Sequence, residues 1–200
     1  MVKGVNGDIV ECGIGRGRSL ITIMVLESLS RTFPDYMPRK IFGLDSFEGF
    51  PEPSKEDASP RNPKKGEWSA SPNGEFTYSI ENLIKIIHNA EIDPSVISDL
   101  TLLKGFFDRT ALEATAKKIA ILHLDGDLYH SVFDPLFILE EKIAPGGVVV
   151  LDDFKLYNPD RKNEAFPGAR RAVEEFMNDR NDFAVRESIR GTPYLLKAAD

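Results

Sequence analysis

The sequence predicts a single-domain α/β fold: a mostly parallel seven-stranded sheet with helices on both faces, closed by an antiparallel pair of strands near the C-terminus. Three observations predict it. Five short apolar runs alternate with segments of helical length and spacing. Every one of those five runs ends in an acid or a glycine, as strand ends do around a ligand crevice. No repeat or linker divides the 200 residues, a length that suits one domain.

The elements follow in order. Residues 8–12, DIVEC, read as the first strand and stop at Gly13, Gly15 and Gly17. Residues 19–33 have helical length, with Ile21, Val25 and Leu29 on one face and Ser19 as the expected N-cap. IFGLDSF (41–47) is a second strand carrying Asp45, which completes a βαβ pattern. Residues 51–77 break the rhythm: they are rich in Pro, Ser, Lys and Gly, and hold the only tryptophan, Trp68. Irregular segments of that length are functional lids or disordered. A lone Trp there is a packing anchor or a ligand contact. The alternation resumes with a helix over 78–90, where Ser79 and Asn82 make a poor capping box. LTLLKG (100–105) and KKIAILHLD (117–125) are the third and fourth strands. Residues 131–143 are a helix with Pro135 expected in its first turn or so. APGG (144–147) reads as a turn and VVVLDD (148–153) as the fifth strand. Residues 168–180 form a last helix, and FAVRES and TPYLLKA form the antiparallel pair. The whole is Rossmann-like, with 51–77 as a mobile lid on a domain covering 1–200.

Composition narrows the partners. The chain is 42% hydrophobic with 13 Phe, enough to bury a core. A formal charge of −7 argues against nucleic acid or an anionic membrane as the main partner. The single cysteine, Cys12, excludes an internal disulfide framework and fits a reducing, cytoplasmic compartment. No secretory signal is visible, and no apolar run reaches roughly 18 residues.

Three constellations carry chemistry. In ECGIGRG, glycines after a strand let the backbone approach a ligand. Glu11 would repel a pyrophosphate but could organise the loop or receive a cationic amino-acid group, which favours S-adenosylmethionine over NAD. Asp45 is placed to accept hydrogen bonds from ribose hydroxyls, or else to cap a turn. Asp125, Asp152 and Asp153 would share one cleft if strands four and five are neighbours. Carboxylates so placed need a cation or a proton, unless one or two of them cap helices or pair with Arg170 or Arg171. Hard oxygen ligands favour Mg²⁺, with Ca²⁺ or Mn²⁺ as alternatives. His123 on its strand reads as a satisfied core residue, and His88 as surface. His130 near the acids could act as a base but ranks below Asp127.

Taken together, GDIVECGIGRGRS, LDSFEGFP, LKGFFDRT, LHLDGDLYHS and APGGVVVLDDF followed by GARRAVEEF resemble the macrocin O-methyltransferase (TylF) family of S-adenosylmethionine-dependent class I methyltransferases. The resemblance runs from about Gly7 to Tyr194. It implies Mg²⁺-dependent methyl transfer to a hydroxyl, often on a sugar of a glycosylated natural product. It implies Asp125, Asp152 and Asp153 as metal ligands and Asp127 as general base. Cofactor contacts would come from Glu11, Gly13, Gly15, Gly17 and Ser19, from Asp45 and Ser46 at the adenosine end, and from Gly105 and Phe106 near the adenine. Members of the family carry a longer N-terminal extension that covers the site and assembles oligomers, whereas here the first strand begins within a few residues of Met1. The expected partner is a small-molecule hydroxyl acceptor, with homo-oligomerisation left open. A catechol methyltransferase, a non-catalytic binding module and an NAD oxidoreductase are the competing readings. The last is disfavoured by Glu11 and by GIGRGR, which is not a clean GxGxxG.

Overall fold

The computed structural model describes residues 4–155 and 161–199. Its centre is a seven-stranded sheet in the order β3-β2-β1-β4-β5-β7-β6. The strands are β1 (Asp8–Cys12), β2 (Ile41–Asp45), β3 (Leu100–Lys104), β4 (Ile119–Leu124), β5 (Ile143–Leu151), β6 (Phe183–Glu187) and β7 (Pro193–Lys197). The first five are parallel to one another, and β7 runs antiparallel to both β5 and β6. The order reverses direction at β1, where the chain leaves for β2 on one side and later returns through β4 on the other. A crevice at that point is the usual ligand site of such sheets.

Helices α1 (Arg18–Ser30), α2 (Ile80–Asn89) and α3 (Pro94–Ser98) pack one apolar cluster, including Leu20, Met24, Leu83, Ile87 and Val96. Helices α4 (Phe107–Glu113), α5 (Tyr129–Leu139) and α6 (Pro167–Met177) pack a second, including Ala111, Leu136, Leu139, Val173 and Phe176. The two short helices α3 and α4 were not foreseen, since neither is long enough to show a period.

Several expectations need correction. Helix α1 is apolar around much of its circumference, so periodicity does not define its face. It buries Leu20 and Met24, while Val25 and Leu29 are exposed. Its N-cap is Gly17 in the left-handed region at φ 85°, and Ser19 lies inside the helix. APGG is not a turn between elements: β5 starts at Ile143 and runs through it, with a register shift against β4 that absorbs the glycines. Helix α5 begins two residues early, at Tyr129, which leaves Pro135 in its interior. Ser79 does cap α2, accepting from the Asn82 N–H, but the Asn82 side chain turns to Thr77 O rather than back to the cap.

The stretch 51–77 carries more local structure than its composition suggests. A 3₁₀ turn over Lys55–Asp57 carries a full capping box at Ser54. Asp57 is buried; its Oδ1 accepts from the Tyr129 N–H at 2.7 Å, and its Oδ2 accepts from the N–H and hydroxyl of Ser54, each at 2.8 Å. A carboxylate from the loop thus caps α5, whose own N-cap, Leu128, has no side chain to do so. The Arg61 guanidinium lies over the rings of Phe50 and Phe166 and pairs with Glu67. Only 69–77 forms a separate small excursion, closed by a bridge between Ala70 and Thr77. Among the described residues no helix is long and apolar enough to cross a membrane.

Candidate active site

The carboxyl ends of the parallel strands are tied to one another one residue beyond the sheet. Gly105 N–H donates to Asp45 O, Gly13 N–H to Leu44 O, Asp125 N–H to Cys12 O, and Asp152 N–H to Leu124 O, all at 2.9–3.1 Å. Four strand-end turns therefore leave the sheet side by side. They open into one cavity of about 940 Å³, lined by Gly13, Gly15, Ser19, Asp45, Ser46 and Phe106 together with Asp125, Asp127 and Asp152. That volume suits a cofactor and part of a second small molecule. Nine of the thirteen residues expected at the site line this space. Glu11, Gly17, Gly105 and Asp153 do not.

The glycine turn is held from β2. Asp45 Oδ2 accepts from the Ile14 and Gly15 N–H groups at 2.8 Å each, and its Oδ1 accepts from the Phe47 N–H at 2.6 Å. The first work of this acid is therefore to bind the β1 turn, which sequence spacing alone could not show. Gly13 is required by proximity: a Cβ there would come within 1.9 Å of the Asp125 carbonyl oxygen. The β1 and β4 turns can lie together only because that atom is absent. Ser46 spends its hydroxyl on the same corner, donating to Gly49 O and accepting from the Glu48 N–H. Arg16 and Arg18, not foreseen as site residues, also line the cavity, and Arg16 lies over the Phe76 ring. The basic positions within GIGRGR were the available signal.

Glu11 is fully buried and does not reach the cavity surface. Its Oε1 meets His123 Nδ1 at 3.0 Å, while Oε2 is the one buried side-chain polar atom without a partner among the described residues. Burial alone would lower the His123 pKa, but the hydrogen bond and charge of Glu11, with Asp125 and Asp152 beyond, raise it. His123 is thus satisfied, as expected, but by an acid across the β1–β4 ladder and not by apolar neighbours. That pairing is visible only once Glu11 and His123 are in register.

The acids of β4 and β5 do meet. Asp125, Asp152 and Asp153 can each offer a carboxylate oxygen, and these oxygens lie within 4.8 Å of one another. Burial, then the charges of Asp152 and Asp153, push Asp125 up to about 7. Asp127 is pushed up to about 8, by burial first and then by the charge and hydrogen bond of Asp153; Arg61 pulls the other way. The Asp127 N–H donates to Asp153 Oδ2 at 3.0 Å. The alternative arginine partner is excluded for Arg170, which pairs with Glu164 and Glu174 instead. Asp127, not Gly126, takes the left-handed conformation, at φ 60°. Gly126 is needed for close approach, since a Cβ would meet Ser131 at 2.7–3.1 Å. His130 lies at the cavity edge, with Nδ1 3.2 Å from Asp134 Oδ1; His88 is exposed on α2.

A sheet in this order, with a glycine turn after β1 and acids after β2, β4 and β5, has the layout of class I methyltransferases. The solved structure of the O-methyltransferase NovP matches it with a TM-score of 0.69 at 26% identity, covering 98% of this chain and 73% of that one. The particular family follows from the sequence. The family described as macrocin-O-methyltransferase (TylF) matches residues 1–187, and the chain belongs to it. A Streptomyces olivaceus 8-demethyl-8-(2,3-dimethoxy-alpha-L-rhamnosyl)-tetracenomycin-C 4′-O-methyltransferase is 32% identical over 157 residues, 78% of this chain and 56% of that protein. A Micromonospora griseorubida mycinamicin III 3′′-O-methyltransferase is 27% identical over 175 residues, 88% of this chain and 62% of that protein. The chain thus spans 56–62% of the length of these two relatives.

Proposed function

We propose that this chain is an S-adenosylmethionine-dependent, Mg²⁺-dependent O-methyltransferase whose acceptor is a hydroxyl of a sugar or a glycosylated small molecule. One observation carries the reading: the glycine turn held by Asp45 and the acid cluster of β4 and β5 open into the same cavity. Its relatives' names, two of them methyltransferases of natural products and one naming a rhamnosyl group, support the acceptor class.

The residues fit both groups. Three carboxylates offering only oxygen, and raised in pKa or adjacent to raised ones, are a donor set for a hard divalent cation. Asp125, Asp152 and Asp153 would hold it. The unpartnered Oε2 of Glu11 at the end of β1 is buried and off the cavity surface, and would accept from a cofactor donor only through a bridging water. When bound, the cofactor would supply an activated methyl group, and the cation would lower the pKa of the acceptor hydroxyl.

The chain's own contributions follow from position. Gly13, Gly15 and Ser19 line the cofactor half, and Asp45 holds the turn through the Ile14 and Gly15 N–H groups. Phe106 offers an apolar surface there. Asp127 faces the same cavity without belonging to the three-acid donor set, and would accept the hydroxyl proton on its carboxylate. The excursion 69–77 supplies Ser71 and Pro72 to the cavity lining and would act as the lid that excludes water.

Calorimetry with S-adenosylhomocysteine tests the cofactor claim: expected binding saturates with one site, and no heat of binding would sink it. Full activity of Asp152→Ala in chelator would sink the metal claim.

A further inference from the structure

We propose that Trp68 forms one wall of the methyl-acceptor subsite, its indole face receiving the C–H face of a hydroxylated sugar ring. The inference rests on the methyl-transfer reading above and adds the residue that selects the acceptor.

Trp68 is the only tryptophan in the chain, and its backbone lies in the left-handed region at φ 65°. A bulky residue with a Cβ disfavours that region and stays there only when its surroundings impose it. The surroundings do. The Phe50 N–H donates to Glu67 O at 2.8 Å, and the Gly66 N–H to Phe50 O at 3.0 Å. On the other side the Tyr78 N–H donates to Ser69 O at 3.0 Å, and Arg61 grips Glu67 Oε2 at 2.7 Å. Residue 68 is clamped between these bonds.

The side chain held in this way is not part of the core. Trp68 is 47% exposed and belongs to neither apolar cluster of the core. It lines the cavity. A structural anchor would bury its indole and find a partner for its N–H. A strained backbone that presents a half-exposed aromatic to a cavity is instead the pattern of a residue held ready for a ligand.

The location selects which ligand. Arg61, bonded to the neighbouring Glu67, lies over Phe50 and Phe166, and Asp57 of the same loop accepts from the Tyr129 N–H, two residues beyond Asp127. Trp68 is therefore tied to the acid-cluster end of the cavity, where an acceptor hydroxyl has to sit, and not only to the glycine turn. The same lining brings Glu52, Ser71, His130 and Asp134, all able to bond hydroxyls. One aromatic face with polar groups at its edges matches a pyranose, which has an apolar C–H face and a rim of hydroxyls.

The test uses the full chain with S-adenosylmethionine and Mg²⁺, offered methyl α-L-rhamnopyranoside and, separately, catechol, with transfer read by a labelled methyl group. The expected result is methylation of the rhamnoside. In Trp68→Ala and Trp68→Gly its KM rises tenfold or more, kcat changes less than threefold, and the S-adenosylhomocysteine Kd stays within twofold. Trp68→Phe recovers most of the lost KM. Trp68→Gly melts no lower than wild type, because glycine accepts the left-handed backbone and little buried packing goes with the indole; a packing anchor would give a lower Tm. Rhamnoside methylation with KM unchanged in Trp68→Gly overturns this assignment and leaves the methyltransferase reading intact. Methylation of catechol alone overturns the sugar wall. S-adenosylhomocysteine binding with neither probe methylated overturns it together with the sugar-directed reading, and absence of that binding overturns methyl transfer itself.

Discussion

The two ends of the cavity are built on opposite plans. At the β1 turn, Asp45 is saturated by the polypeptide: its two oxygens receive three backbone N–H groups. At the β4 and β5 turns, four acids crowd together, and two of them are pushed up to about 7 and about 8 because burial and mutual repulsion outweigh the opposing charges of His123 and Arg61. The first arrangement is finished when the chain folds. The second is finished only when a proton or a cation joins it. Deleting an acid should therefore destabilise one end and relieve the other.

The largest expected effect is at the finished end. Asp45→Ala leaves three N–H groups of the turn without their acceptor and should cost about 3 kcal/mol of stability. S-adenosylhomocysteine binding should fall at least about tenfold, because the glycine turn that lines the cavity loses its clasp. Calorimetry and thermal melting would show both. A turn that keeps its affinity without Asp45 would break the comparison.

At the other end, Asp152→Ala should abolish methyl transfer in Mg²⁺ yet leave the Tm in chelator unchanged or higher, since Asp152 is among the charges that push Asp125 up. A clear drop in Tm would mean that the cluster is self-sufficient after all.

A third effect separates the two ends by pH. The folded pKa values of Asp125 and Asp127 lie above the ordinary carboxylate value, so the folded chain retains protons that the unfolded chain has released. Metal-free stability should then fall as pH rises from about 5 to about 8. Mg²⁺ should restore the Tm at the upper end and do little at the lower, as melts with and without chelator would reveal. A Tm that climbs with pH in chelator would contradict this.

The smallest effect serves as a reference away from the cavity chemistry. Ser79→Ala removes the N-cap of α2 and should cost about 1 kcal/mol, with the S-adenosylhomocysteine Kd unchanged.

Much of this was legible in the sequence because it is local. Alternating apolar runs and helical segments fixed the class of fold, and acids at strand ends are adjacent in space once neighbouring strands are parallel. Asp125 and the Asp152–Asp153 pair could be brought together on that argument alone. What could not be read was anything that depends on which partner a polar group finds across the chain. Val25 and Leu29 looked like core because α1 is apolar on more than one side; the face it turns inward is chosen by what packs there. Asp57 lay unnoticed in a segment that reads as irregular, yet its carboxylate caps a helix that starts 72 residues later.

By itself, then, the sequence determined the alternation of elements, the set of acids and glycines at the carboxyl edge and the family to which they belong, since each is written in short-range order. The tertiary structure alone decided their division of labour. Asp45 became a clasp for the glycine turn, Glu11 a partner of His123, Asp127 the left-handed corner of its own turn and Trp68 an exposed wall. Hydrogen-bond acceptors and backbone strain acquire roles only from the atoms that surround them, and those atoms come from distant parts of the chain.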